Sequence, residues 1–231
     1  MGSVNSMPVW RYMSFAKFVW IIQNKCLWLS RADLLGDPWE ISLSGEELQL
    51  LISRHPINPI DEARKETAEE RAKRIIGLWR NNTFINCWNM SIHESNALWK
   101  IYCKNADGVA LQTTHEKLRS IKGRHSLHSV TYPIPGSNRK TPSHVDLVTK
   151  KRPMFSYEDE VRIVFYDDHN ETGATKGVRL DFDFEHLIES VRVHPEADES
   201  FFEVVQNIVK TYANNFTGNV VWSDMKLGPL I

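Results

Sequence analysis

The chain has no apolar run near the roughly 18 residues that a membrane-spanning helix requires. Met1–Met7 is polar and has no hydrophobic signal core. Both absences place the expected compartment in the cytosol, without a membrane partner. Only three cysteines occur (Cys26, Cys87 and Cys103), an odd number without paired spacing, which argues against a disulfide framework. No CxxC or His–Cys cluster suggests zinc, and the nine histidines form no i, i+4 pair on a convincing helix, so no metal is expected. Phosphate-loop and dinucleotide glycine patterns are missing, as are GxSxG and HExxH. These absences set aside the common nucleotide-hydrolase, dinucleotide-dehydrogenase, α/β-hydrolase and zinc-protease signatures.

What remains is an ordinary globular composition, 42% hydrophobic and 25% charged over 231 residues, enough for one large core. The net charge of −1 hides a local imbalance. Residues 116–152 carry nine Lys/Arg against two acids, whereas 156–203 carry fourteen acids against four bases. The basic stretch could meet a nucleic acid or a phosphate-bearing ligand, or be balanced in space by acids elsewhere.

Hydrophobic periodicity predicts strands at Val9–Tyr12, Cys26–Leu29, Thr83–Trp88, Gly108–Thr113, Leu127–Tyr132, Val161–Tyr166, Val178–Phe182, Ile188–His194 and Val220–Ser223. Helices are expected from Ser14, from the capping box Ser44–Glu47 to about Ser53, over Asp61–Arg80, after a second capping box at Ser91–Glu94, over Thr114–Ile121 and over Asp198–Ala213. The irregular order predicts an α+β single domain spanning 1–231, with a mixed, largely antiparallel sheet flanked by helices and a helical insertion at about 44–80.

Chemistry concentrates at element ends. Glu160 opens a strand in which Val161, Ile163 and Phe165 alternate with Arg162 and Val164, so its carboxylate is held on a rigid element. The alternative is a structural ion pair from Glu160 to Arg162. Arg11, between Trp10 and Tyr12, has the planar fork suited to a pyrophosphate; a structural ion pair is the competing role. Trp99 and Tyr102, at i, i+3, could stack on a planar ring or pack in the core. Asp37, Glu158 and Glu160 are the acids that could hold Mg²⁺ in a nuclease.

In order along the chain, Trp10-Arg11-Tyr12, Trp28-Leu29-Ser30, Asp37-Pro38-Trp39-Glu40, Asn86-Cys87-Trp88, Glu94-Ser95, Leu98-Trp99, Tyr102, Gly108-Val109-Ala110-Leu111 and Tyr157-Glu158-Asp159-Glu160-Val161-Arg162 resemble a bacterial family catalogued as domain of unknown function 2971. A more distant resemblance is to ADP-ribosyltransferases, especially bacterial toxins that modify DNA. That likeness implies an ADP-ribosyltransferase-like fold, NAD as co-substrate, Glu160 as the catalytic carboxylate, and Arg11, Ser30, Trp99 and Tyr102 as NAD-binding residues. It also implies an NAD-using transferase or NAD-hydrolysing toxin or antiviral defence effector, with nucleic acid or protein as acceptor and the basic 116–152 segment as a place for nucleic acid. The chain departs from those toxins in lacking a first-strand His followed by Thr, and in the Arg of Glu-Val-Arg. The alternative is a non-catalytic module that binds a nucleotide or a protein in a bacterial defence or toxin system.

Overall fold

Val9 and Met13 point to one side of the first strand and Trp10 and Tyr12 to the other, and this alternation divides the core into separate layers. The computed structural model describes residues 4–37, 39–54, 65–134, 142–170, 173–226 and 228. In chain order its elements are β1 (Pro8–Ser14), α1 (Phe15–Asn24), β2 (Cys26–Arg31), α2 (Gly45–Arg54), α3 (Ala68–Asn82) and β3 (Thr83–Met90). Then follow α4 (Asn96–Tyr102), β4 (Gly108–Thr114), α5 (His115–Arg119), β5 (Ser126–Ser129), α6 (His144–Val148) and a 3-10 turn at Pro153–Glu158. The chain continues with β6 (Glu160–Tyr166), β7 (Gly177–Asp181), α7 (Phe184–Leu187), β8 (Ser190–Val193), α8 (Glu199–Tyr212) and β9 (Asn219–Trp222).

The strands form one sheet in the order β5-β6-β3-β1-β4-β8-β9, with β2 on β3 and β7 on β2. Every pairing is antiparallel except β8 with β9. The fold is thus α+β with a mixed, largely antiparallel sheet. One face packs the main core, in which Leu27, Phe84, Trp88, Leu111, Ile163 and Val191 meet Phe18 and Ile22 of α1 and Val205 and Val209 of α8. The other face carries two smaller apolar patches. Ile85 and Val164 lie under Ile41, Ile76 and Leu147, while Trp10, Tyr12 and Ala110 lie under Leu98 and Trp99 of α4.

β3 positions the site. One edge pairs with β6 from Thr83 to Asn89. Along the other edge, Phe84 and Ile85 pair with β2, and Asn89 and Met90 pair with β1. Between these, Asn86–Trp88 have no strand partner on that side among the described residues, because β1 and β2 diverge. Side chains satisfy part of the open edge: Asn86 Nδ2 donates to the Trp28 carbonyl at 2.9 Å, and Arg11 Nη1 donates to the Cys87 carbonyl at 2.5 Å.

Several local expectations change. α3 starts at Ala68, where Thr67 and Glu70 form a reciprocal capping box; Asp61–Arg64 lie outside the described residues. Ser91 does not cap α4, since its backbone continues the sheet by donating to the Pro8 carbonyl. Ser95 caps instead, accepting from Leu98 N. The short helices α6 and α7 escape a periodicity reading because one turn is too brief to show a period. Of the expected loop 133–141, residues 135–141 lie outside the described residues. No described helix is long and apolar enough to cross a membrane.

Gly108 is one place where the sheet has no room for a side chain. A Cβ there would fall on the Cys103 side chain and 2.8 Å from the Met13 carbonyl oxygen. Gly108→Ala is expected to lower stability by about 1–3 kcal/mol through overpacking, measured by denaturant unfolding. Adding Cys103→Ala should recover part of the loss.

Candidate functional site

Register puts Trp10 in the Glu160 row and Arg11 one residue further along β1, with its side chain leaving on the Val9/Met13 face toward Trp88, yet close enough for the Glu160 charge to act on it. Glu160 pairs with Asn89, and Asn89 pairs with Trp10, so Arg11 lies next to that row, about 10 Å across two strand spacings. The mouth of β6 is held from several sides. Asp159 adopts a left-handed conformation (φ 40°), which Asp tolerates better than most residues, and its carbonyl accepts from Met90 N. Asn89 Nδ2 donates to the Glu158 carbonyl at 2.5 Å, and Glu160 N donates to the Tyr132 hydroxyl at 2.9 Å.

The Glu160 carboxylate is buried in an ion network. Arg162 Nε and Nη2 donate to its two oxygens at 2.9 and 3.0 Å. The same guanidinium donates through Nη1 and Nη2 to Glu40 at 2.9 and 2.8 Å, and through Nη1 to the Val148 carbonyl at 2.7 Å. Arg162 is 0% exposed, and every N–H it has is engaged. Lys151 Nζ lies 2.5 Å from Glu158, 3.4 Å from Glu160 and 3.8 Å from Glu40.

Burial alone would raise the Glu160 pKa, but the charge and hydrogen bonds of Arg162, with Lys151 and the Cys87 thiol, hold it below the ordinary carboxylate value. Glu158 goes the other way. Burial raises its pKa despite Lys151, and the charge of Glu160 adds to that. The Cys87 thiol is pushed well up by burial and then by Glu160, so it serves as a hydrogen-bond donor and not as a thiolate nucleophile.

Arg11 sits in the seam between β1 and β3. Its Cζ lies 5.9 Å from the Trp88 ring centroid, and its Nε is buried with no hydrogen-bond partner. Burial lowers its pKa, with Cys87, Tyr102 and Glu160 opposing. Tyr102 stands at the same cluster. Its hydroxyl pKa is raised to about 12, by burial first and then by Glu158 and Cys87, yet 47% of the residue remains exposed.

The remaining residues singled out in the sequence are elsewhere. Trp99 is 1% exposed, edge-on to Tyr12 at 5.0 Å and to His194 at 5.1 Å, and its Nε1 donates to Glu94. It is a core residue with no face open for stacking. Ser30 pairs with Ile85, four residues of β3 from Asn89, hence about 13 Å along the strand from the Glu160 row. Glu158 and Glu160 meet at Lys151, but Asp37 does not join them. Asp37 pairs with Arg152, Glu158 with Lys151 and Glu160 with Arg162, and no metal-holding group of His, Cys, Asp or Glu occurs among the described residues.

The fold can now be set beside known proteins. No family model matches the chain, so the resemblance to domain of unknown function 2971 gains no support there, and no curated protein matches either. Among solved structures the chain is similar to DarT of Thermus sp. 2.9 in complex with NAD+, at 10% identity and a TM-score of 0.46, over 96% of this chain and 98% of that one. It is likewise similar to the same protein in complex with ADP-ribosylated ssDNA, at 11% identity and a TM-score of 0.46, over 96% and 97% of the two chains.

Three residues that organise the site were not among the sequence candidates. Glu40 and Lys151 were masked by distance in sequence, and Arg162 was read only as a partner for Glu160. One signal was available for Arg162: a lone cation in the otherwise apolar run Val161–Phe165 must be paired if that strand is central. The basic run Lys150–Lys151–Arg152 is also not a free patch. Lys150 pairs with Glu47 at 2.7 Å, Lys151 with the cluster above, and Arg152 with Asp37 at 3.0 Å.

Arg162→Met should therefore destabilise the protein by about 3–5 kcal/mol, because Glu40 and Glu160 are left buried without their counter-charge. Combining it with Glu40→Gln and Glu160→Gln should recover much of that loss in denaturant unfolding. Strictly additive losses would contradict a shared network.

Proposed function

We propose that the β1/β3 seam binds NAD and that the chain acts as an ADP-ribosyltransferase-like or NAD-hydrolysing protein. One observation carries this reading: Arg11, at the open edge of β3 with a buried donor left unpaired, lies within electrostatic reach of a rigidly held carboxylate, Glu160, on the strand across β3. Buried donors without partners are rare in proteins and call for an explanation, and an anionic ligand supplies one. The Arg11 guanidinium would take the pyrophosphate. The half-exposed ring of Tyr102 would stack on a planar part of the dinucleotide.

Cleavage of the nicotinamide–ribose bond moves the bonding pair onto the ring nitrogen, which leaves as neutral nicotinamide while positive charge grows on the ribose. A fixed carboxylate stabilises that charge without reorganising. Water or an acceptor nucleophile then bonds to the ribose carbon and loses its proton. The second reading, a non-catalytic nucleotide-binding module, is favoured by one specific feature: Arg162, Lys151 and the Cys87 thiol already engage the Glu160 oxygens. For nucleic acid as acceptor, the pairing of Lys117, Lys150, Lys151 and Arg152 removes part of the basic segment from consideration and leaves, among the described residues, Arg119, Lys122 and Arg124.

Incubation of the pure protein with NAD, followed by assay for free nicotinamide, tests the reading. Glu160→Gln should slow release by roughly a hundredfold or more. Arg11→Lys should weaken NAD binding by roughly ten- to a hundredfold, because an ammonium cannot reproduce the fork. Tyr102→Ala should weaken it about five- to tenfold with thermal stability unchanged. NAD binding without nicotinamide release selects the binding-module reading, and absence of NAD binding overturns both.

A further inference from the structure

On the same face of the sheet as Glu160, four strands away at about 19 Å, a cavity of about 580 Å³ opens across β4, β8 and β9. Register builds its floor. Gln112 of β4 pairs with Ser190 of β8, and Ser190 pairs with Asn219 of β9, so an amide, a hydroxyl and a second amide stand side by side, about 4.8 Å apart. None of the three side chains has a hydrogen-bond partner among the described residues. Ser190 is 8% exposed and its Oγ is buried, and Arg192 Nε, lining the same cavity, is also buried and unpartnered. Two adjacent buried polar atoms without partners, Ser190 Oγ and Arg192 Nε, depart from the ordinary rule for buried polar atoms, while Gln112 is half-buried and Asn219 exposed at the rim.

Charge decides what would fill it. The Arg192 guanidinium is neutralised by Asp224 at 2.5 Å, with Glu94 3.9 Å away. Lys226 Nζ donates to the Ala197 carbonyl at 2.8 Å and lies 3.2 Å from the Trp222 ring centroid. Glu189 pairs with Lys117. Among the described lining residues only Lys226 keeps a cation without a carboxylate partner, and its Nζ is already engaged by the Ala197 carbonyl and the Trp222 ring, whereas the amides and the hydroxyl each both donate and accept.

We infer that this cavity is a second binding site, separate from the β1/β3 seam, for a neutral, hydroxyl-rich small molecule: a pentose or hexose, free or as the sugar of a nucleoside. Adjacent ligand hydroxyls, each donor and acceptor, are bracketed by Gln112, Ser190 and Asn219, with Arg192 Nε as a further donor. The site does not depend on the NAD reading.

The test is an amide-resolved NMR titration of the full chain with D-ribose, with adenosine against 2′,3′-dideoxyadenosine, and with inorganic phosphate. Saturable shifts at Ser190, Arg192 and Asn219 are expected with half-saturation of about 1–10 mM, the range of a few hydrogen bonds offset by ordering costs. A response to D-ribose marks a free-sugar site. A response to adenosine but not to its dideoxy analogue marks a nucleoside sugar. Ser190→Ala should weaken that response about tenfold while leaving the thermal midpoint unchanged or raised, since the hydroxyl has no partner to lose. The inference is overturned by a lack of response to both sugar probes, by tighter binding of phosphate at these residues, or by a Ser190→Ala protein that binds as before.

Discussion

A single guanidinium, fully enclosed, joins three parts of this molecule. Arg162 engages Glu160 at the mouth of its own strand, Glu40 from the segment after β2, and the Val148 carbonyl at the end of α6, and so closes the sheet face over Cys87. Two carboxylates around one arginine leave excess negative charge, and Lys151 supplies the balance from the segment before β6. Removing such charges from water costs several kcal/mol per ion, which the mutual attraction offsets only while the geometry is complete. The network is therefore better understood as a device that fixes where Glu160 stands than as a source of stability.

The same physics explains the basic run. Lys150, Lys151 and Arg152 alternate along an extended segment, yet each reaches a different acid: Glu47, the Glu40–Glu158–Glu160 group, and Asp37. Together they fasten the 37–47 segment across the sheet face that Glu160 shares. Without that fastening, Arg162 would lose Glu40, and the carboxylate at the seam would lose its fixed orientation.

Much of the fold was legible because apolar alternation over Val9–Met13, Thr83–Trp88 and Val161–Phe165 marks the central strands directly. Strand ends were less so, since Ser14 and Ser30 extend ladders by pairing and not by hydrophobicity. Of the site, Arg11, Tyr102 and Glu160 do come together, because all three lie at ends or edges where a polar residue interrupts a pattern. Trp99 could not be told from Tyr102 by spacing alone. They share a helix face, but α4 lies on the sheet so that one ring is sealed beneath it and the other stands at its rim. Glu40 and Lys151 were out of reach for another reason: an ion pair across more than a hundred residues leaves no periodic trace in a single sequence. The divergence of β1 from β2 was equally hidden, since which residues of β3 each strand pairs with is set by register and not by any pattern within one strand.

The central claim is that the open edge of β3 is where a dinucleotide anion meets Arg11. Its most direct test is to follow the Arg11 Nε–H and the backbone amides of Cys87 and Trp88 by NMR during titration with NAD. The account predicts saturable shifts at these three positions and at Tyr102. An Arg11 Nε–H, Cys87 and Trp88 that stay unshifted at saturating NAD, whatever moves elsewhere in the sheet, would contradict it.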